Sequence, residues 1–188
     1  MIKIGLDLDN CIFDSEPIYK KAFEGTKYIY FLPQKYLITE TYPKEVADRL
    51  LHLFQCEDTY LTKPYDSTLS KYINTLIDNN ECEFHIITAR KSFDDPLLDT
   101  YKQLQRYKFN IPLSKIHITT LNKTSTIIKY KIDYMLDDNP HVIEDCLNTK
   151  TTPILISNEK TPYNQHLRNK VEWHPDVKTA LKLITYSR

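Results

Sequence analysis

The chain opens with Ile2-Lys3-Ile4-Gly5-Leu6-Asp7-Leu8-Asp9-Asn10, and the reading of this stretch decides the fold. Ile2, Ile4, Gly5 and Leu6 make a run suited to a buried strand. Asp7 and Asp9 close it and, with one residue between them, project to the same side. An unpaired buried carboxylate is costly. Two at one strand end therefore imply a bound cation, a shared proton or a nucleophilic task. The bland alternative is an acidic turn after a strand.

Three later stretches repeat the pattern of an apolar run ending in chemistry. Ile132-Asp133-Tyr134-Met135-Leu136 ends in Asp137-Asp138, followed by Asn139-Pro140, a helix start with Asn as N-cap and Pro in the first turn. A helix dipole accounts for one of these carboxylates more easily than for two. Glu83-Phe84-His85-Ile86-Ile87 leads into Thr88-Ala89-Arg90, where a hydroxyl and a guanidinium suit an anion. Lys123 follows Ile116-His117-Ile118 and opens the helix-like stretch 124–130. A Lys at a helix start opposes the dipole and so requires a reason; Lys129 is its rival within the same segment.

Taken in order, these four sites resemble the motifs of the haloacid dehalogenase (HAD) superfamily of aspartyl-phosphate phosphohydrolases. Asp7 and Asp9 match its Asp-x-Asp, Thr88 its strand-terminal Ser/Thr, Lys123 its Lys, and Asp137 with Asp138 its acidic pair. A narrower resemblance, carried by Ile87-Thr88-Ala89-Arg90, Leu136-Asp137-Asp138-Asn139-Pro140, Pro162-Tyr163-Asn164 and Trp173, is to the 5'(3')-deoxyribonucleotidase family and its bacterial and phage relatives. Asn10 and Cys11 depart from it, standing where the family usually has Gly and Val or Thr; Asn tolerates the left-handed backbone that Gly would supply.

The resemblance implies roles. Asp7 would attack phosphorus, and Asp9 would protonate the leaving alkoxide and then deprotonate water. Thr88 would hold phosphoryl oxygens, Lys123 would neutralise them, and Arg90 would contact phosphate or sugar. Mg²⁺ would lie between the side chains of Asp7 and Asp138 and the backbone carbonyl of Asp9, with Asp137 in its outer shell. Two acidic pairs without a His/Cys set favour Mg²⁺ over Zn²⁺.

Composition narrows the class. The 188 residues suffice for one domain with a substantial core. Twenty-five Lys and Arg against 25 Asp and Glu give zero formal charge, which argues against a general nucleic-acid or anionic-membrane binder. No apolar stretch approaches bilayer length. Cys11, Cys56, Cys82 and Cys146 form no Cys-x-x-Cys pair, and reduced thiols in a cytoplasmic protein are the simplest reading.

Strand-like runs at 2–7, 84–88, 115–119, 133–137 and 153–156 alternate with helical patterns near 95–108, 123–130, 140–147 and 176–186. They predict an α/β fold, a Rossmann-like five-stranded parallel sheet flanked by helices. The resemblance places the first strand between the second and fourth. It also divides the chain into a core, 1–14 and 70–188, and a small helical cap, 15–69. The helical patterns 16–24 and 43–55 fall inside that cap, and 67–78 leads back to the sheet. The cap carries Tyr19, Phe23, Tyr28, Tyr30, Phe31, Tyr36, Tyr42, Phe54, Tyr60 and Tyr65. The bland reading is that most build the cap's own core; the functional one is that one or two face the crevice and stack on a base.

The expected function is hydrolysis of a small phosphorylated substrate, foremost a nucleoside monophosphate. Another metabolite, polynucleotide ends or a catalytically silent binding module remain the rivals.

Overall fold

The computed structural model describes residues 1–120 and 122–186. Six parallel strands form one sheet: β1 (Ile2–Leu6), β2 (Cys82–Thr88), β3 (Ile116–Ile118), β4 (Tyr134–Asp137), β5 (Thr152–Ile156) and β6 (Trp173–His174), in the order β3-β2-β1-β4-β5-β6. The five strand-like runs correspond to β1–β5. The expected count of five is corrected by β6, in which Trp173 and His174 pair with Leu155 and Ile156. Two residues carry no periodicity, so such a strand exists only through the neighbour it pairs with.

The alternation of β1 sends Ile2, Ile4 and Leu6 to one face. There they pack with Phe84 and Ile86, with Leu69, Ile73 and Leu76 of α5 (Leu69–Asp78), Leu104 of α6 (Pro96–Arg106), and Ala180, Leu181 and Ile184 of α9 (Val177–Tyr186). The other face joins Ile87, Ile132 and Met135 to Ile127 of α7 (Thr124–Tyr130) and to Val142 and Cys146 of α8 (Pro140–Cys146). Gly5 makes this second face dense. A Cβ on it would meet Met135 Sδ at 2.6 Å and the side chains of Ile132 and Ile87 at 3.2 Å.

Between β1 and α5 lies a helical insertion with α1 (Glu16–Phe23), α2 (Ile38–Thr41), α3 (Lys44–Leu53) and α4 (Glu57–Leu61). Ile18, Tyr19, Ala22, Phe23, Tyr42, Val46, Ala47 and Leu50 give it an apolar cluster of its own. Its outgoing and returning backbones run side by side. Phe13 bridges to Pro64 in antiparallel sense, Asp14 N donates to Lys63 O at 2.9 Å, and Tyr65 N donates to Ile12 O at 2.9 Å.

The chain moves outward from β1 through β2 and β3, then returns to β4 on the other side. The carboxyl ends of β1 and β4 thus stand together where the strand order reverses, the usual place for a crevice in an open parallel sheet.

Candidate active site

Register brings the acidic residues together. Leu6 lies opposite Leu136 and Ile86, and Asp7 N continues the ladder by donating to Leu136 O at 3.0 Å. Asp7 is therefore level with Asp137, and Thr88 ends β2 beside them. Beyond Asp7 the backbone turns sharply: the amides of Cys11, Ile12 and Phe13 all donate to Leu8 O. The turn requires Asn10 at φ +59°, a conformation Asn accepts better than most residues. Its Nδ2 also donates to the Tyr163 hydroxyl at 3.2 Å.

Lys123 precedes α7 and is buried. Its amine donates to Asp7 Oδ1 at 2.5 Å and to Asp137 Oδ2 at 2.8 Å. Lys129 is exposed, with its amine over the Tyr130 ring. Burial works against the Lys123 charge, but Asp137 and Asp7 outweigh it and hold the ammonium protonated well above the usual range. Asp137 is fully committed, since its Oδ1 accepts from Asn139 N at 2.9 Å. Asn139 in turn caps α8 by accepting from His141 N at 2.9 Å, with Pro140 in the first turn.

Asp7 and Asp138 are under-neutralised. Burial, then Asp137 and Asp9, push the Asp7 carboxyl up to about 7 despite Lys123. Burial, then Asp7 and Asp137, raise that of Asp138 well above the carboxylate range. One ammonium thus serves three buried carboxylates. Ligand atoms of Asp7, Asp138 and Cys11 lie within 4.8 Å of one another, and the Cys11 thiol donates to Asp138 Oδ1 at 3.7 Å. Among the described residues this is the group of acidic, His or Cys side chains placed to hold a metal ion.

Asp9 has a different partner. Arg90 Nε and Nη2 donate to its Oδ2 and Oδ1 at 2.8 and 2.6 Å, and Arg90 Nη1 donates to Gln103 Oε1. The Arg90 side chain is 1% exposed and that of Asp9 23%. The guanidinium expected at a substrate's phosphate or sugar is thus held on Asp9 and Gln103 in this structure. Thr88 is buried at the end of β2, where its carbonyl accepts from Thr119 N at 2.8 Å.

Two residues without an assigned role in the sequence complete the site. Tyr163 donates its hydroxyl to Asp138 Oδ2. Asn164 Nδ2 donates to Asp138 O at 2.7 Å and to Ile156 O at 3.0 Å, while its Oδ1 accepts from Ser157 Oγ at 2.6 Å. The Pro162-Tyr163-Asn164 motif thereby clasps the ends of β4 and β5. That motif was the available signal, but its partners lie beyond any local pattern. From the insertion, Tyr36 packs edge-on against Tyr163 and His141, with ring centroids at 5.7 and 6.0 Å. Burial, then Asp138, Asp137 and Asp7, raise its hydroxyl pKa, which places that hydroxyl in the field of the acidic cluster.

No protein-family model and no curated protein sequence matches the chain. Solved structures share its fold. A haloacid dehalogenase-like family hydrolase from Streptococcus pneumoniae is similar over 100% of this chain and 99% of its own, with TM-score 0.62 and 11% identity. A predicted phosphatase from Clostridium acetobutylicum is similar over 100% and 99%, with TM-score 0.60 and 17% identity. D,D-heptose 1,7-bisphosphate phosphatase from B. bronchiseptica, solved with magnesium and phosphate, is similar over 100% of both chains, with TM-score 0.61 and 9% identity. The chain therefore has the Rossmann-like α/β fold of HAD-type hydrolases. Among the described residues, no helix is long and apolar enough to cross a membrane.

Proposed function

We propose that this protein is a Mg²⁺-dependent phosphomonoesterase that works through an aspartyl-phosphate, with a nucleoside monophosphate as substrate. The observation that carries this reading is the Lys123 ammonium held between Asp7 and Asp137, with Asp138 buried alongside. A phosphate monoester brings further negative charge to a carboxylate. Two unit charges 4 Å apart repel by about 4 kcal/mol at an effective dielectric of 20. Lys123 offsets part of that repulsion and orients Asp7, whose Oδ2 accepts no hydrogen bond from a described residue.

The donor set fits Mg²⁺. It consists of under-neutralised carboxylates, a hard-oxygen set for a hard cation, and the lone Cys11 thiol does not make a zinc site. Asp7 and Asp138 would hold the ion with the Asp9 carbonyl, while Asp137, engaged by Lys123 and Asn139 N, would stay outside its inner shell. When bound, Mg²⁺ would neutralise and orient phosphoryl oxygens.

Asp7 then attacks phosphorus as the bond to the leaving oxygen breaks. Asp9 gives that oxygen a proton, and afterwards takes one from the water that hydrolyses the aspartyl-phosphate. Thr88 and neighbouring amides donate hydrogen bonds to the oxygens of the transferring phosphoryl group. The helical insertion acts as a cap, 15–69, that excludes water and selects the leaving group. Tyr36, an insertion aromatic that packs on Tyr163 beside Asp138, is the residue proposed to meet a base.

The test is phosphate release from a panel of nucleoside monophosphates and sugar phosphates, with Mg²⁺ and with chelator. Turnover of nucleotides that chelation abolishes and Mg²⁺ restores is expected. Full activity in chelator would overturn the metal assignment. Preference for sugar phosphates would favour a general metabolite phosphatase, a reading that the heptose bisphosphate phosphatase fold relative keeps open.

A further inference from the structure

Arg90 is bound on all three guanidinium nitrogens by two residues from distant places in the chain. Nε and Nη2 fork onto both oxygens of Asp9, and Nη1 donates to Gln103 Oε1. Its guanidinium carbon lies 5.3 Å from the ring centroids of both Phe13 and Tyr60. Gln103, on α6 and 1% exposed, faces the other way as well. Its Nε2 donates to Thr62 O at 3.0 Å, Thr62 Oγ1 at 3.2 Å and Thr59 O at 3.4 Å. Thr59 and Thr62 belong to α4 and the segment that returns from the insertion, and both are buried. A continuous buried chain of hydrogen bonds therefore runs from the insertion through Gln103 and Arg90 to Asp9.

We infer that Arg90 is a positioning residue that fixes the Asp9 carboxyl group, and that Gln103 makes this position depend on how the returning segment of the insertion is seated. The inference rests on the proposed role of Asp9 in proton transfer. A bidentate guanidinium defines both the place and the plane of a carboxylate, which a Lys in its stead cannot do. All three guanidinium nitrogens of Arg90 are engaged by protein groups, and its side chain is 1% exposed.

This assignment has a chemical signature. As the bond from Asp7 to phosphorus forms and the bond to the leaving oxygen breaks, the electron pair goes to that oxygen and the Asp9 proton follows. An alkoxide leaving group needs the proton; a dinitrophenolate does not. General-acid catalysis is typically worth about 10²- to 10⁴-fold, so misplacing Asp9 should harm alkyl phosphates selectively.

The experiment compares Arg90→Lys and Gln103→Leu with the parent protein in Mg²⁺, using an alkyl phosphate and 2,4-dinitrophenyl phosphate. For Arg90→Lys, kcat/KM on the alkyl ester, which reports the steps up to formation of the aspartyl-phosphate and not its shared hydrolysis, should fall by roughly 10- to 100-fold, part of the full general-acid contribution, with kcat/KM on the dinitrophenyl ester nearly unchanged. Gln103→Leu should show the same asymmetry at smaller size. Added guanidinium should restore alkyl-ester turnover to Arg90→Ala. Equal losses of kcat/KM on both esters mark a purely structural role or a phosphate contact, and either overturns the inference. A parent that turns over neither ester would sink the phosphatase reading instead. In that case crystal structures of parent and Arg90→Lys still decide the positioning role: Asp9 should take a new or second rotamer in the variant, and an unmoved Asp9 would refute it.

Discussion

Lys123 faces three buried carboxylates, and the imbalance defines what single substitutions should do. Asp7→Asn keeps the shape and removes the proposed nucleophile. Turnover should fall by at least ~10³-fold, as for removal of a nucleophile elsewhere, while the circular dichroism spectrum stays that of the parent. Beryllium fluoride trapping of the parent should place density on Asp7, and attachment to another residue would reassign the roles. Asp138→Asn should do the opposite to stability. It removes one of two carboxyls that burial and their neighbours hold above the carboxylate range. In chelator its melting temperature should exceed the parent's by a few degrees, since about 1 kcal/mol shifts a chain of this size by about 2–4 °C. The parent should gain stability on adding Mg²⁺ and the variant should not, by the linkage of binding to folding. A variant that is less stable in chelator would contradict the charge argument. Asp7, Asp9, Asp137, Asp138 and Lys123 were legible because each terminates an apolar run or opens a helix. The partner of Arg90 was not: it lies 81 residues away in sequence, and no local pattern says whether a guanidinium turns toward a ligand or a neighbouring carboxylate.

Elements show the same division. The strands of the sheet's interior are readable because burial on both faces demands apolar runs, whereas β6 is two residues held only by β5. Likewise α2 and α4 are too short to display a helical period. At β2, β3 and α7 the sequence also hides a polar stack on an otherwise apolar face. Here His85 Nδ1 lies 3.0 Å from His117 Nε2, His85 Nε2 lies 2.7 Å from Glu83, and the Tyr130 ring stacks on His117 with centroids 4.0 Å apart. Burial, then His85, Lys115 and Lys129, push His117 down to about 4. In the unfolded chain it takes its proton near 6.5. Between those values the unfolded state binds more protons, so this group's contribution to stability falls as pH falls from about 6.5 to about 4. Scanning calorimetry of the parent and His117→Gln at pH 7 and pH 5 checks the sign: the parent's melting temperature should drop relative to the variant's at the lower pH. A constant difference would mean that His117 does not titrate differently on folding.

At the scale of the molecule, many rings of the aromatic-rich insertion build its own core, while Tyr60 lies over Arg90, Tyr65 under Lys160, and Tyr36 takes a third course. Phe23 contacts Tyr30, Phe31 and Tyr42, and Tyr19 contacts Tyr42 and Phe54, so these rings build the insertion's own core. Tyr36 instead reaches across to Tyr163 and His141. Composition shows that aromatics are abundant there but not which one contacts the residues beside Asp138. If the substrate is a nucleotide, stacking on a base is worth about 1–3 kcal/mol. Tyr36→Ala should therefore lower kcat/KM for that nucleotide by roughly 5- to 150-fold and alter hydrolysis of a small aryl phosphate much less. Equal losses on both substrates would remove Tyr36 as a specificity residue.

The paired backbones at Phe13 and Pro64 bear on how such a protein diversifies. Antiparallel neighbours stand only about 5 Å apart, so a tight turn could join them and leave the sheet intact. The core is in this sense a socket, and helical units of different length could be spliced into it without disturbing the strand register. The socket is not indifferent to what fills it, because Gln103 reads the two threonines on the returning side. A graft that preserves Thr59 and Thr62 should inherit a working acid–base carboxylate together with a new choice of substrate. One that replaces them should bind its new ligand and turn it over poorly.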